Sequence, residues 1–327
     1  MKPKNSGYEK TIEVIKSTHQ MDASEAIIIL AECAKKGFSL ASQKAVATIA
    51  KLNHASVIPV LTELFLWHEE DSHKRDNNCV VRTEIIERLG DTGSLMAVEI
   101  VRKAARTVHI TKMGPALEDM AIGLRAAAAL ALAKVDKDAL FELSLLLFDK
   151  KPDVPSSSKE AVRCAAAQAI SALGDVSGMP LLAVKLKFPE GETADVLAEC
   201  LEALIFMKPS YLMEVVTPYL KGNNEYLAAI TAIALAENFG EEMLDLLIDT
   251  LENVMGETKE ALTIAIAATR CNRARLLLLD YLNNPSPFVR RGAVKGLKTY
   301  LDDEVIERLK IVHETDTDKI VRRESVI

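Results

Sequence analysis

Residues 162–186 read VRCAAAQAISALGD followed by VSGMPLLAVKL. Counted from Val162 as the first position, apolar or small residues stand at positions 1, 4, 5, 8, 9 and 12, which is one face of an α-helix. Gly174 stands where a left-handed C′ residue closes such a helix, and a second apolar helix follows after a short turn. A helical pair of this kind cannot bury its apolar faces alone, so it has to stack on a like neighbour.

The same frame recurs from Ala41, Asn78, Leu124, Val162, Val196, Leu227, Ala261, Val289 and Val321, at intervals that average 35 residues. That period belongs to helix-turn-helix solenoids. The expected fold is therefore all-α, a right-handed α-α superhelix of stacked helical hairpins running through residues 1–327 as one domain. Within it, residues 1–40 form an N-terminal capping hairpin, 41–315 about eight repeats, and 316–327 a terminal half repeat. The capping hairpin is predicted over Tyr8–Ser17 and Ala23–Lys36, the second helix opened by the capping box Asp22-x-x-Glu25 and closed by Gly37.

The chain resembles the HEAT-repeat family, in particular its bacterial HEAT-like branch of the phycobilisome-lyase type. The resemblance rests on Val-Arg opening a repeat (Val162-Arg163, Val289-Arg290, Val321-Arg322 and, more loosely, Leu124-Arg125). It rests equally on Leu-Gly-Asp at the close of a first helix (Leu89-Gly90-Asp91 and Leu173-Gly174-Asp175). It implies a HEAT-like solenoid in which Arg125, Arg163 and Arg290 with Asp91, Asp175 and Asp302 form polar ladders between neighbouring repeats. Asn78-Cys79 in place of Val-Arg, and Lys137 in place of Asp, interrupt that ladder.

Composition narrows the function. With 49% hydrophobic residues but only 5% aromatic and a single tryptophan, Trp67, the core has to be built from Ala, Leu, Ile and Val. The net charge of −7 supplies no global field for nucleic acid or anionic lipid. Five scattered cysteines without a C-x-x-C pair point to a reducing compartment. Neither apolar run, Ala26–Ala31 or Ala126–Ala133, approaches the roughly 20 residues of a membrane span. A cytoplasmic protein without nucleic-acid or membrane partners is expected.

Phosphate-cradling, nucleotide-binding, serine-hydrolase and zincin signatures are absent from the sequence. The His-Glu pairs His68-Glu69 and His313-Glu314 stand at the ends of second helices, where they cannot assemble the di-iron site of the HEAT-like deoxyhypusine hydroxylases. No metal and no cofactor are expected.

Repeat length is uneven, and the excess falls in three connections, 68–77, 107–119 and 149–158. The connections of a solenoid emerge along one edge, often the face that meets a partner. The first insert, with His68, Glu69, Glu70, Asp71, Lys74 and Arg75, reads either as a solvated loop or as part of a contact. The third, with two prolines and a serine run before Glu160, reads as a turn with a helix cap. Between them Arg102, Lys103, Arg106, His109 and Lys112 form a basic cluster with no acidic residue among them. These cations either complement a helix C-terminus or receive an acidic peptide or anionic group. Reversing Arg102, Lys103 and Arg106 to glutamate is expected to spare the fold and weaken binding. Arg270, Arg273 and Arg275 form a second basic group with the same two readings.

The expected function is a non-enzymatic scaffold or adaptor that holds another protein or peptide on its concave face or loop-bearing edge. Two alternatives stand beside it. One, implied by the resemblance, is a bilin lyase or lyase partner subunit; the other is a fragment of a larger HEAT-repeat assembly protein. Self-association is left open.

Overall fold

A computed structural model describes residues 7–149 and 160–326. The described chain falls into two compact units, 1–178 and 179–327, and each is a stack of antiparallel helical hairpins.

The first unit holds α1 (Gly7–Ser17), α2 (Ala23–Ala34), α3 (Ser39–Ile49), α4 (Val57–Glu70), the one-turn α5 (Ser72–Arg75), α6 (Val80–Asp91) and α7 (Val98–Ala105). A hairpin of β1 (Ile110–Met113) and β2 (Ala116–Asp119) follows, then α8 (Ile122–Val135), α9 (Leu140–Leu147) and α10 (Glu160–Leu173). The second unit holds α11 (Met179–Lys187), α12 (Ala194–Met207), α13 (Leu212–Leu220), α14 (Glu225–Phe239), α15 (Leu244–Asn253), α16 (Glu257–Ala268), α17 (Asn272–Tyr281), α18 (Pro287–Leu297), α19 (Asp303–Thr315) and α20 (Lys319–Glu324).

First helices stack directly on one another, α3–α6–α8–α10 in one unit and α12–α14–α16–α18–α20 in the other. Each second helix packs against the first helix that follows it, as α7 does on α8 and α13 on α14. Small residues make this stacking close. A Cβ placed on Gly90 would come within 2.7 Å of the Ala131 Cβ, and one on Gly296 within 2.8 Å of the Ala267 Cβ. Ala128, Ala129, Ala166, Ala167 and Ala169 are fully buried along the same contacts. This is the physical reason for a core poor in aromatic residues: helices that approach this closely leave no room for rings.

Asp22 caps α2 by accepting from the Ser24 amide at 2.9 Å, and Gly37 follows the helix with φ +78°. Seven of the nine repeat starting points lie two residues inside their helix; the other two need correction. Leu89-Gly90-Asp91 matches Leu173-Gly174-Asp175 in sequence, but Gly90 lies within α6, pressed on Ala131. The left-handed glycine of that repeat is Gly93, with φ +61°. The frame therefore starts at Val81, and Val81-Arg82 takes the place sought at Asn78-Cys79. In α16 the buried residues Thr258, Leu262, Ala265 and Ile266 put the start at Thr258 instead of Ala261. The four intervals from Val196 onward then become 31, 31, 31 and 32 residues.

The inserts also differ from loops. The first is largely helical, since α4 runs on to Glu70 and α5 follows. The second is the β-hairpin, turned at Gly114-Pro115 with Gly114 at φ +61°; a positive φ at the first turn position favours glycine. The third lies, beyond Asp149, outside the described residues, and the predicted serine cap lies there with it. No helix among the described residues is long and apolar enough to cross a membrane.

Candidate functional site

In the first unit the two inserts meet. The Ser72 hydroxyl stands 3.1 Å from His109 Nδ1, and Thr111 Oγ1 donates to Asn77 Oδ1 at 2.9 Å. The His73 and His109 rings lie 4.5 Å apart. Between α4, α7 and the start of the hairpin opens a concavity of about 510 Å³ lined by Glu69, Ser72, Arg82, Arg102, Lys103 and His109 among others. Arg106 and Val108 belong also to an adjoining, more apolar hollow of about 340 Å³ that includes Leu145 and Leu146 of α9. The edge thus carries one groove, polar at one end and apolar at the other.

Its cations are already engaged. Arg102 Nη2 lies 2.6 Å from Asp136, Arg106 Nη2 3.0 Å from Glu142, and Lys103 Nζ 2.8 Å from Glu69. The basic cluster predicted from sequence is thus, at these three residues, a set of ion pairs to the neighbouring repeats. The second unit repeats the device: Lys187–Glu214 at 3.0 Å, Lys221–Asp249 at 3.4 Å, Arg273–Asp245 at 2.5 Å and Arg275–Asp302 at 2.7 Å. These pairs lie at the surface, where solvent screening leaves each with little net effect on stability. Asp136 and Glu142 are buried, however, so reversing Arg102, Lys103 and Arg106 together would set carboxylates against carboxylates. The expectation that this triple reversal spares the fold does not survive that geometry.

The remaining predicted contact residues divide. Glu70, Lys74 and Lys112 are exposed; Arg75 lies over the Trp67 ring at 4.2 Å, bonded to Glu70 at 2.7 Å, and Asp71 pairs with Lys74 at 3.2 Å. His68 is a correction. It is fully buried, edge-on to Trp67, and faces the core where no partner can reach it.

A second set of charges, among them the six residues of the expected ladder, ties helices and turns together. Asp76 accepts from the Val81 and Arg82 amides at 3.0 Å each and pairs with the buried Arg82 side chain at 3.1 Å. Asp119 accepts from the His109 and Ala121 amides at 3.1 and 3.0 Å and from Arg125 Nη1 at 2.6 Å. Arg125 also reaches Asp149 at 3.0 Å and the Thr107 carbonyl at 3.0 Å. Arg163 donates to the Asp149 carbonyl at 3.1 Å, and Arg290 holds Asp316 at 2.8 Å and the Asn284 carbonyl at 2.9 Å. Asp302 caps α19 at the Val305 amide, 2.9 Å away. Asp91 meets Lys134 of the next repeat at 2.9 Å, whereas Asp175 accepts from the Ser177 amide of its own turn at 2.9 Å. Cys79, left-handed at φ 57°, receives Arg82 Nη2 on its sulfur at 3.0 Å. Burial pushes its thiol up to about 12, so it stays protonated.

Residues 244–327 match the family model described as HEAT repeats, the stretch where the 31- and 32-residue intervals and both Val289-Arg290 and Val321-Arg322 fall. Over that stretch the second unit is built of HEAT-type repeats. Among solved structures, the chain is similar to the complex of CpcE and CpcF of phycocyanin lyase from Nostoc sp. PCC7120, at 18% identity and a TM-score of 0.38, over 87% of this chain and 94% of that one. No curated protein matches it.

Protonation bears on the edge of the first unit. Burial lowers the pKa of His68, with Arg82 adding to it, against the opposing Asp76 carboxylate; the carbonyls of Arg75 and Ala34 lie near but outside hydrogen-bonding geometry. His109 is lowered by burial, then by Arg82 and His73, against Asp76 and Asp119. Both rings are thus held neutral in the fold. Below the ordinary histidine value of about 6.5 the unfolded chain takes up protons first, so stability is full above that pH and falls beneath it. Urea midpoints measured at neutral and mildly acidic pH should show this fall, and replacing His68 by phenylalanine and His109 by asparagine should flatten it. An unchanged slope in the double variant would locate the dependence elsewhere.

Proposed function

We propose that this chain is a non-enzymatic protein-binding module that holds a segment of another protein in the edge groove of residues 1–178. The observation that carries the reading is the groove's pairing of character. Its cationic heads stand further out than their carboxylate partners, Arg106 being 66% exposed and Glu142 only 9%. Beside them Val108 and Leu145 leave an apolar surface open to solvent, Leu145 being 56% exposed. An apolar contact with a charged rim is how protein surfaces commonly receive a partner segment.

The test spares the ion pairs. Val108→Asp with Leu145→Asp alters two exposed residues, so the fold should persist. In a pull-down from lysate of the source organism, the wild-type protein should retain one stoichiometric partner and the double variant should lose at least about tenfold of it, equivalent to 1.4 kcal/mol. Equal recovery by both would remove the groove from the reading. A visible absorption band on the bait would turn the reading toward bilin transfer.

A further inference from the structure

The net charge is concentrated in one stretch. Residues 179–260 carry fifteen carboxylates against five lysines and no arginine, a net −10 in a chain whose total is −7. Three of those lysines, Lys185, Lys187 and Lys221, are held in ion pairs to Glu192, Glu214 and Asp249. Lys208 bonds the Asn238 carbonyl and covers the Phe239 ring.

The first helices of the second unit display this acidity around an apolar trough. Between the N-terminal halves of α14 and α16 lies a hollow of about 530 Å³ floored by Ala229, Ala261 and Ile264 and rimmed by Glu225, Glu257 and Glu260. Tyr226, 48% exposed, forms one wall, and its hydroxyl bonds Asp195 on α12 at 3.3 Å. Beyond it Glu202 faces Glu199 and Glu237; burial and these two like charges raise its carboxyl above the usual range. Glu225 and Glu257 occupy first turns, where the helix dipole favours an anion. Glu237 lies near the C-terminal end of α14, where the dipole opposes it. Glu202, Glu225, Glu237 and Glu257 make no ion pair among the described residues. Lys295 of α18 reaches Glu260 at 2.8 Å, and Lys259 is the one cation on α12, α14 and α16 themselves.

We infer that the exposed face of α12, α14 and α16 is a docking surface for a basic amphipathic segment of a partner protein. Its lysines or arginines would meet the carboxylates while its aliphatic side chains fill the trough. Charge complementarity selects this occupant: the surplus carboxylates oppose one another in the free chain, and the trough between them rewards apolar burial. A bare divalent cation would gain nothing from Ile264, and no group of three metal-ligating side chains converges among the described residues. The inference stands apart from the groove in residues 1–178.

Full-length protein should be titrated, at low and high salt, with two labelled peptides of equal charge. One carries lysine and leucine at helical spacing; in the other serine replaces leucine. The lysine/leucine peptide should bind about tenfold more tightly, with both affinities weakening as salt screens the charges. Glu202→Gln with Glu237→Gln relieves like-charge crowding, so this variant should fold at least as well as wild type yet bind the lysine/leucine peptide several-fold more weakly. Ile264→Ser should abolish the preference for leucine. Equal affinity for the two peptides would reduce the surface to diffuse charge and overturn the inference. So would unaltered binding by the Glu202→Gln/Glu237→Gln protein, stoichiometric displacement of peptide by calcium, or self-association that excludes the peptide.

Discussion

Replacing Arg125 by leucine should lower the stability of residues 1–178 by about 3–5 kcal/mol, the usual cost of removing one partner of a buried ion pair. The Arg125 and Asp119 side chains are 4% and 0% exposed, so water cannot take the place of the guanidinium. Asp119 would remain buried with its two amide donors and no cation, and the Thr107 carbonyl and Asp149 would lose a donor as well. Urea denaturation followed by helical circular dichroism reads the loss directly. The paired substitution Arg125→Leu with Asp119→Asn should recover part of it, because the stranded charge is gone while an amide oxygen can still accept from His109 and Ala121. A single variant with an unshifted midpoint would mean that Arg125 is solvated in solution.

Gly292→Leu should cost about 3 kcal/mol, at the upper end for an overpacked contact. A Cβ at this position would lie 2.5 Å from the Thr263 Cβ and 2.7 Å from the Glu260 carbonyl oxygen. The second of these is backbone and cannot rotate away. To admit the side chain, α18 would have to move off α16, and the first-helix stack of the second unit would open at that step. Thermal melting of wild type and variant measures this, and a variant as stable as wild type would show that the two helices are not in contact there.

The fold was legible because HEAT-type packing leaves a periodic trace: the apolar face of α10 and the glycine after it can be read without any structure. Register was harder, since Leu-Gly-Asp at 89–91 imitates a helix end while Gly90 serves helix contact instead. The β-hairpin carried its own signal, Gly114-Pro115 between two short runs, which the dominant helical period obscured. The two inserts and the basic residues from Arg102 to His109, which line the edge groove, stand out in the sequence because length excess and local charge are properties of the chain itself. What the sequence concealed was their pairing, since Asp136 and Glu142 lie more than thirty residues away from Arg102 and Arg106.

The arginines that brace the connections do leave a mark in the sequence. Asp76 precedes Arg82 and Asp119 precedes Arg125 by six residues, and each arginine holds its forerunner's carboxylate; Arg290 and Arg322 span the same six residues to the backbone carbonyls of Asn284 and Asp316. An acceptor at the end of one repeat, side chain or main chain, six residues ahead of an arginine inside the next first helix, is the span of one tight connection folding back on itself.

The meeting of the two inserts through Ser72, His109, Asn77 and Thr111 bears on the thermodynamics of recognition. Surface loops ordinarily lose conformational entropy when they close on a ligand, and that loss subtracts from affinity. Here the short helix α5 and the β-hairpin are already braced against each other and against buried arginines. For the docking proposed above, the ordering cost would therefore fall mainly on the incoming segment, because this side of the contact is already fixed.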